Sequence, residues 1–222
     1  MPVGLYTCGQ GIRGLGGIWV IWNPSEQILL SSHLGEFSTT VLLSRILDGF
    51  LWKFSSIHGP NSASLRPRLW AELDHAASLP HPTWCFGGDF NITRWSHDRS
   101  SNPTISEGMR DFSDFIFRSE LLDIPLQGNC FTWSNHSPQQ SLSKLDRFLL
   151  SLNWEEHFPG SHAMALPKPT SDHCPILLDT RAVRRGPKPF RFELSWLQEE
   201  SRPTLISIWW NSFSSQVSGR AG

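Results

Sequence analysis

The chain has 222 residues, enough for one domain or one domain and a tail, and its 39% hydrophobic content supports a buried core. A formal net charge of −1 gives no global basic signal for nucleic acid, so any DNA contact has to run through a local cleft. No stretch reaches the roughly 18 apolar residues of a membrane span, and no signal-peptide pattern opens the chain. The four cysteines, Cys8, Cys85, Cys130 and Cys174, form no Cys-x-x-Cys pair. That argues against a zinc site and reads as buried, reduced thiols of an intracellular protein.

In chain order, residues 1–17 are Gly-rich and lead into Ile18-Trp19-Val20-Ile21-Trp22, a β-like run stopped by Asn23-Pro24. Ile28-Leu29-Leu30 and Thr39-Thr40-Val41-Leu42-Leu43 read as further strands. So does the run from Phe50 to Ile57, which ends at His58-Gly59-Pro60. Residues 64–77 carry Leu65, Leu69, Leu73 and Ala76 at helical spacing. Trp84-Cys85-Phe86 is a short apolar strand that Gly87-Gly88 is expected to break, leaving Asp89 and Asn91 on one side of its end with Phe90 facing away.

A second helix is predicted over 106–120, with Ser106 as N-cap and Met109, Phe112, Phe115 and Ile116 as its apolar stripe. Cys130 to Ser134, Leu145 to Leu150 and His162 to Leu166 read as strands, and Asn153 to Phe158 as a short helix. Ser171-Asp172-His173 opens a last strand from Cys174 to Leu178. From Arg181 the character changes to a basic, Pro/Gly-containing stretch with Arg184, Arg185, Lys188 and Arg191. The expected division is one domain over 1–180 and a linker with a Trp-containing tail over 181–222. Strands with interspersed helices predict an α/β sandwich.

Four polar clusters fall at strand ends: Asp89 with Asn91, Thr132, Asp146, and Ser171-Asp172-His173. Acidic groups at several strand ends with one histidine suit phosphodiester hydrolysis. A hard cation prefers carboxylate oxygens, neutralises the phosphate and acidifies a bound water. An aspartate beside a histidine orients the imidazole and favours its charged form. Each member alone also fits ordinary turn or surface chemistry; the set carries the functional reading.

Gly87-Gly88-Asp89-Phe90-Asn91, Phe131-Thr132-Trp133-Ser134, Lys144-Leu145-Asp146-Arg147-Phe148-Leu149 and Ser171-Asp172-His173, in this order, resemble the endonuclease/exonuclease/phosphatase superfamily. Flanking runs narrow the likeness: Trp154-Glu155-Glu156-His157-Phe158-Pro159, Leu166-Pro167-Lys168-Pro169-Thr170 and Gly186-Pro187-Lys188-Pro189-Phe190. They are similar to the apurinic-type endonuclease domain of plant non-LTR (LINE-type) retrotransposons. The resemblance implies a DNase I-like fold of two packed β-sheets flanked by helices. It implies a Mg²⁺-dependent (or Mn²⁺-dependent) nick in DNA that leaves a 3′-hydroxyl to prime reverse transcription; the setting is intracellular, and nuclear for a functional protein. By the same resemblance Asp89 positions or deprotonates water and Asn91 helps orient it. Asp146 orients His173, which stabilises charge on the phosphate. Asp172 serves the metal, Thr132 and Ser171 contact the phosphate, and His58, which is not the family's usual residue, is able to donate to a phosphate.

Two departures stand out. The family opens with a strand–helix–strand unit ending in Gln-Glu-Thr, whose Glu is a principal metal ligand. No such run stands here, so the fold is expected to lack those first elements, and Glu26 and Glu36 lie in other contexts. In addition, Ile57-His58-Gly59-Pro60 carries His58 where the family usually has Tyr. Four readings stand on the sequence: an active endonuclease, a non-catalytic DNA-binding remnant using Arg181 to Arg191, a functionless retroelement fragment, and a superfamily relative acting on phosphoinositides or other small phosphomonoesters, against which the retroelement-like flanks argue. No protein partner is inferable.

Overall fold

The computed structural model describes residues 4–8, 18–78, 83–101, 104–135, 137, 139–168, 171–181, 204, 207 and 208. The chain divides into two units, Met1–Val183 and Arg184–Gly222. The basic stretch from Arg184 to Arg191, the tail tryptophans, the Gly-rich residues 9–17, and Pro169 and Thr170 all lie outside the described residues.

In the first unit, β1 (Gly4–Cys8) pairs antiparallel with β2 (Ile18–Trp22). Strands β3 (Gln27–Leu34), β4 (Ser38–Arg45) and β5 (Leu51–His58) form an antiparallel meander. Helix α1 (Arg66–Ser78) then carries the chain across to β6 (Trp84–Asp89), parallel to β5, as a parallel pair requires. Next come α2 (Glu107–Arg118), β7 (Leu121–Asp123), β8 (Leu126–Gln127) and the small hairpin β9 (Trp133–Ser134) and β10 (Leu142–Ser143). Strand β11 (Asp146–Ser151) inserts between β6 and β7, and α3 (Leu152–His157), β12 (His162–Ala165) and β13 (Ile176–Asp179) follow. The main sheet runs β3-β4-β5-β6-β11-β7, and a second sheet runs β13-β12-β8.

Strand alternation sorts the core into two faces. Trp84 and Phe86 of β6 and Leu149 of β11 point to one side, where Leu69, Leu73 and Ala76 of α1 meet Phe112, Phe115 and Ile116 of α2. Cys85 and Leu150, their chain neighbours, point to the other side, against Trp154 of α3 and Ala163 of β12. Val20 of β2, in the separate β1-β2 sheet, packs on Val41 and Leu43 of β4 in the main sheet. Helix α2 begins as its sequence predicts, with the Ser106 hydroxyl accepting the Met109 N–H at 3.3 Å.

Two expectations change. Gly87 and Gly88 do not break β6; they stay in the ladder opposite Phe148 and Arg147. A side chain at Gly87 would meet the Phe148 ring, and Gly88 sits at φ +136° with the Ile57 carbonyl 2.3 Å from where a Cβ would stand. The glycines therefore allow close approach rather than a turn. The Cys130–Ser134 run yields only the two-residue β9, and Cys130 is exposed while Cys85 is buried. No helix among the described residues is long and apolar enough to cross a membrane.

Candidate active site

Three adjacent strands bring three polar residues into one row. In the parallel β5–β6 pair His58 lies opposite Asp89, and in the antiparallel β6–β11 pair Asp146 lies opposite Asp89. Residues paired this way share a face of the sheet. The loop before β13 then delivers His173 through a bridge to Trp133.

Asp89 Oδ1 accepts the Asn91 N–H at 2.8 Å, and the Gly59 N–H donates to the Asp89 carbonyl at 2.7 Å. Asn91 adopts φ +51°, a left-handed conformation that Asn tolerates. The chain thus turns at Asn91 rather than continuing the strand alternation. Its side-chain amide donates to the Gly59 carbonyl at 2.8 Å, tying the two loops, while Phe90 is fully buried.

Asp146 Oδ2 pairs with His173 Nδ1 at 2.8 Å, and His173 Nε2 lies 3.9 Å from Asp89 Oδ2. On the other flank His58 Nδ1 is 3.9 Å from the same Asp89 oxygen, with its side chain 69% exposed. Asp146 is no surface charge: it is buried, as is its neighbour Arg147. Arg147 points away from the cleft and forms ion pairs with Asp98 and, at 3.0 Å, with Asp123.

The remaining candidates lie around this group. Thr132, expected to touch phosphate, is fully buried, and its hydroxyl accepts the Leu145 and Asp146 N–H groups, each at 3.0 Å. It holds the start of β11 instead. The Ser171 hydroxyl accepts the His173 N–H at 3.1 Å and so shapes the loop. Asp172 stands outside the Asp89–Asp146–His173 group, with its carboxylate accepting the Trp133 indole N–H at 2.9 Å. That bond holds its pKa below the ordinary carboxylate value. Sequence reasoning gave no role to Trp133 or to Lys168, whose Nζ donates to Ser134 Oγ at 2.7 Å and to the Asp172 carbonyl at 2.6 Å. Both stand inside the quoted motifs, which was the available signal.

Electrostatics follow from this geometry. Burial, then repulsion from Asp146, raises the Asp89 pKa against the opposing pull of the Asn91 N–H and the two histidines. The Asp146 hydrogen bond raises the His173 pKa against its partial burial. Asp89, Asp146 and His173 each offer a ligand atom, all within 4.8 Å of one another. This mixed oxygen and nitrogen set fits a divalent cation.

The sequence profile described as the Endonuclease/Exonuclease/phosphatase family matches residues 3–173. The chain belongs to this family. The endonuclease/exonuclease/phosphatase fold is also what the solved structures show. The endonuclease domain of TRAS1, a telomere-specific non-LTR retrotransposon, is similar with a TM-score of 0.62 at 11% identity, over 82% of this chain and 81% of that one. The 3′ phosphatase NExo from Neisseria, bound to a product DNA hairpin, gives 0.57 at 14% identity, over 80% and 79% of the two chains. A mannosyl-6-phosphatase from Bacteroides thetaiotaomicron gives 0.52 at 12% identity, over 80% and 76%. The α/β architecture of sheets flanked by few helices is thus the DNase I-like one. No curated protein matches the sequence.

Proposed function

We propose that this chain is a DNA endonuclease domain of the plant LINE type, hydrolysing one phosphodiester with a divalent cation, Mg²⁺ or Mn²⁺ by the family resemblance. The observation that carries the reading is the Asp146–His173 pair at 2.8 Å beside Asp89. It places a carboxylate and an oriented imidazole where a phosphate and a water can both reach them. Support for DNA as substrate comes from the retrotransposon-like flanks and from the DNA-bound phosphatase that shares the fold.

Asp89 takes a proton from the attacking water. Asn91 fixes Asp89 Oδ1 through its N–H, leaving Oδ2 toward the cleft. Asp146 fixes the imidazole through Nδ1, so that Nε2 faces the phosphate and stabilises its developing charge. The water oxygen bonds to phosphorus, the P–O3′ bond breaks, the departing O3′ takes a proton from solvent water, and the products are a 5′-phosphate and a 3′-hydroxyl. A bound cation would supply phosphate neutralisation and a more acidic water. Thr132 and Ser171 serve by holding Asp146 and His173 in place.

The family also holds phosphatases, so substrate class is what the test must separate. The full chain, with Mg²⁺ or Mn²⁺, is incubated with supercoiled plasmid and, separately, with sugar and inositol phosphomonoesters. Nicking to open circles with 3′-hydroxyl ends and no phosphate release supports the proposal. Phosphate release from monoesters without nicking overturns it.

A further inference from the structure

We propose that Arg66 and Arg99 form a second phosphate-gripping point, which holds the DNA backbone several nucleotides from the scissile phosphate and fits the site to a polynucleotide rather than a small phosphate ester. This rests on the reading of the chain as a DNA endonuclease.

Both arginines lean on the loop that leaves Asp89. Arg66 Nη2 donates to the Asn91 carbonyl at 3.4 Å, and Arg99 Nε donates to the Thr93 hydroxyl at 2.9 Å. The two charges feel one another: burial, then repulsion from Arg99, lowers the Arg66 pKa against the pull of Asp111. Space for the Arg66 guanidinium is kept by Gly108, the second residue of α2, where a Cβ would stand 3.1 Å from Nη1.

Neighbouring guanidiniums are differently placed. Arg94 pairs with Asp123, and Arg147 with Asp98 and Asp123. Among the described residues neither Arg66 nor Arg99 has an ion pair, although both are half-buried. Like charges gathered without a carboxylate between them raise the local potential for an anion. With Nε committed to Thr93, Arg99 keeps its two Nη groups, and a guanidinium fork matches phosphate oxygens.

Strand register sets the distance to the chemistry. Arg99 bridges to Ser143, Ser143 pairs with Trp133, and Trp133 bridges to His173, so the four stand in one antiparallel row. Neighbouring Cα atoms in such a row are about 4.5–5.5 Å apart, which puts Arg99 roughly 14–16 Å from His173. A phosphomonoester held at His173 does not span that gap. A DNA strand carries a phosphate about every 3.4 Å of helix axis and engages both ends.

The test is binding of a fluorescein-labelled DNA duplex by the full chain, read by anisotropy over a range of salt without divalent cation. Wild type is compared with Arg66→Gln, Arg99→Gln, the double variant, and Arg110→Gln as a control for net charge, since Arg110 is an exposed arginine of α2. Each is first shown to be folded by circular dichroism. Expected in the double variant are a loss of affinity of about tenfold or more and a salt slope shallower by about 2, one for each phosphate contact removed. Should the double variant not fold, each single variant carries the test with a slope shallower by about 1. Affinity and slope unchanged from wild type, or changed no more than in Arg110→Gln, overturn the inference, as does a wild type that binds no DNA. Plasmid nicking with divalent cation is scored separately. Wild-type nicking beside unchanged binding in the variants would sink the arginine grip and leave the endonuclease reading intact. Weakened binding in the variants beside a wild type that never nicks would do the reverse.

Discussion

Asp89 and Asp146 are register partners across β6 and β11, two carboxylates set opposite one another at the same end of the main sheet. Like charges directly opposite destabilise a sheet. The pairing persists here with the Asp89 pKa raised, first by burial and then by Asp146.

The first prediction is that Asp89→Asn gains stability as it loses activity. Asparagine keeps the acceptor for the Asn91 N–H and removes the buried charge. A carboxyl whose folded pKa is raised weakens the fold above that pKa and ceases to do so as pH falls toward its ordinary 3.8. Thermal melts should show Asp89→Asn about 2–4 °C more stable at neutral pH, the shift that ~1 kcal/mol gives a chain of this size. The difference should close as the solution is acidified.

His173 titrates in the opposite sense. The Asp146 hydrogen bond raises its pKa above the ordinary 6.5. The pair therefore stabilises the fold fully below 6.5 and loses its effect as pH rises through the folded pKa. Asp146→Asn should bring the His173 pKa down toward its ordinary value, read by NMR titration of the imidazole. It should also remove the pH-dependent part of the melt over that window. An unmoved His173 titration would contradict the pairing.

Thr132 tests whether the site depends on support from behind. Thr132→Val keeps the shape but leaves the Leu145 and Asp146 N–H groups without their acceptor. An unsatisfied buried group costs about 1–3 kcal/mol. Denaturant unfolding should show that loss, with kcat reduced and KM little changed. Thr132→Ser, which keeps the hydroxyl, should restore most of both.

Behind the site, Asp98 accepts the Arg94 and Trp95 N–H groups at 2.9 and 2.8 Å and pairs with buried Arg147. Asp98→Ala leaves a guanidinium short of charge partners in the interior. Breaking a buried pair costs about 3–5 kcal/mol. A chemical-denaturation loss below ~1 kcal/mol would show that Asp123 alone satisfies Arg147.

Legibility in the sequence followed the physics. Trp84, Cys85 and Phe86 announce a strand buried on both faces, and the Met109–Ile116 stripe announces α2, because local periodicity decides both. Glycine was ambiguous: Gly87 and Gly88 read as breakers, but the tight approach of Ile57 and Phe148 keeps them in the ladder. Thr132 looks like a surface hydroxyl until the β11 backbone is laid over it. The Trp133–Asp172 and Arg147–Asp98 bonds join residues 39 and 49 positions apart, which no local pattern specifies. What the motifs did carry was residue identity at the strand ends, since Asp89, Asp146 and His173 converge there.

In the proposed function Asp89, Asp146 and His173 together form the hydrolytic centre for DNA. The most direct measurement is the single-turnover nicking rate of supercoiled plasmid by the full chain, with a divalent cation, for wild type, Asp89→Ala and His173→Ala. Nicking that is abolished by chelation and falls by about 10²-fold or more in each folded variant is the predicted result. Nicking at wild-type rate in both variants, or none in wild type with any divalent ion, would contradict it.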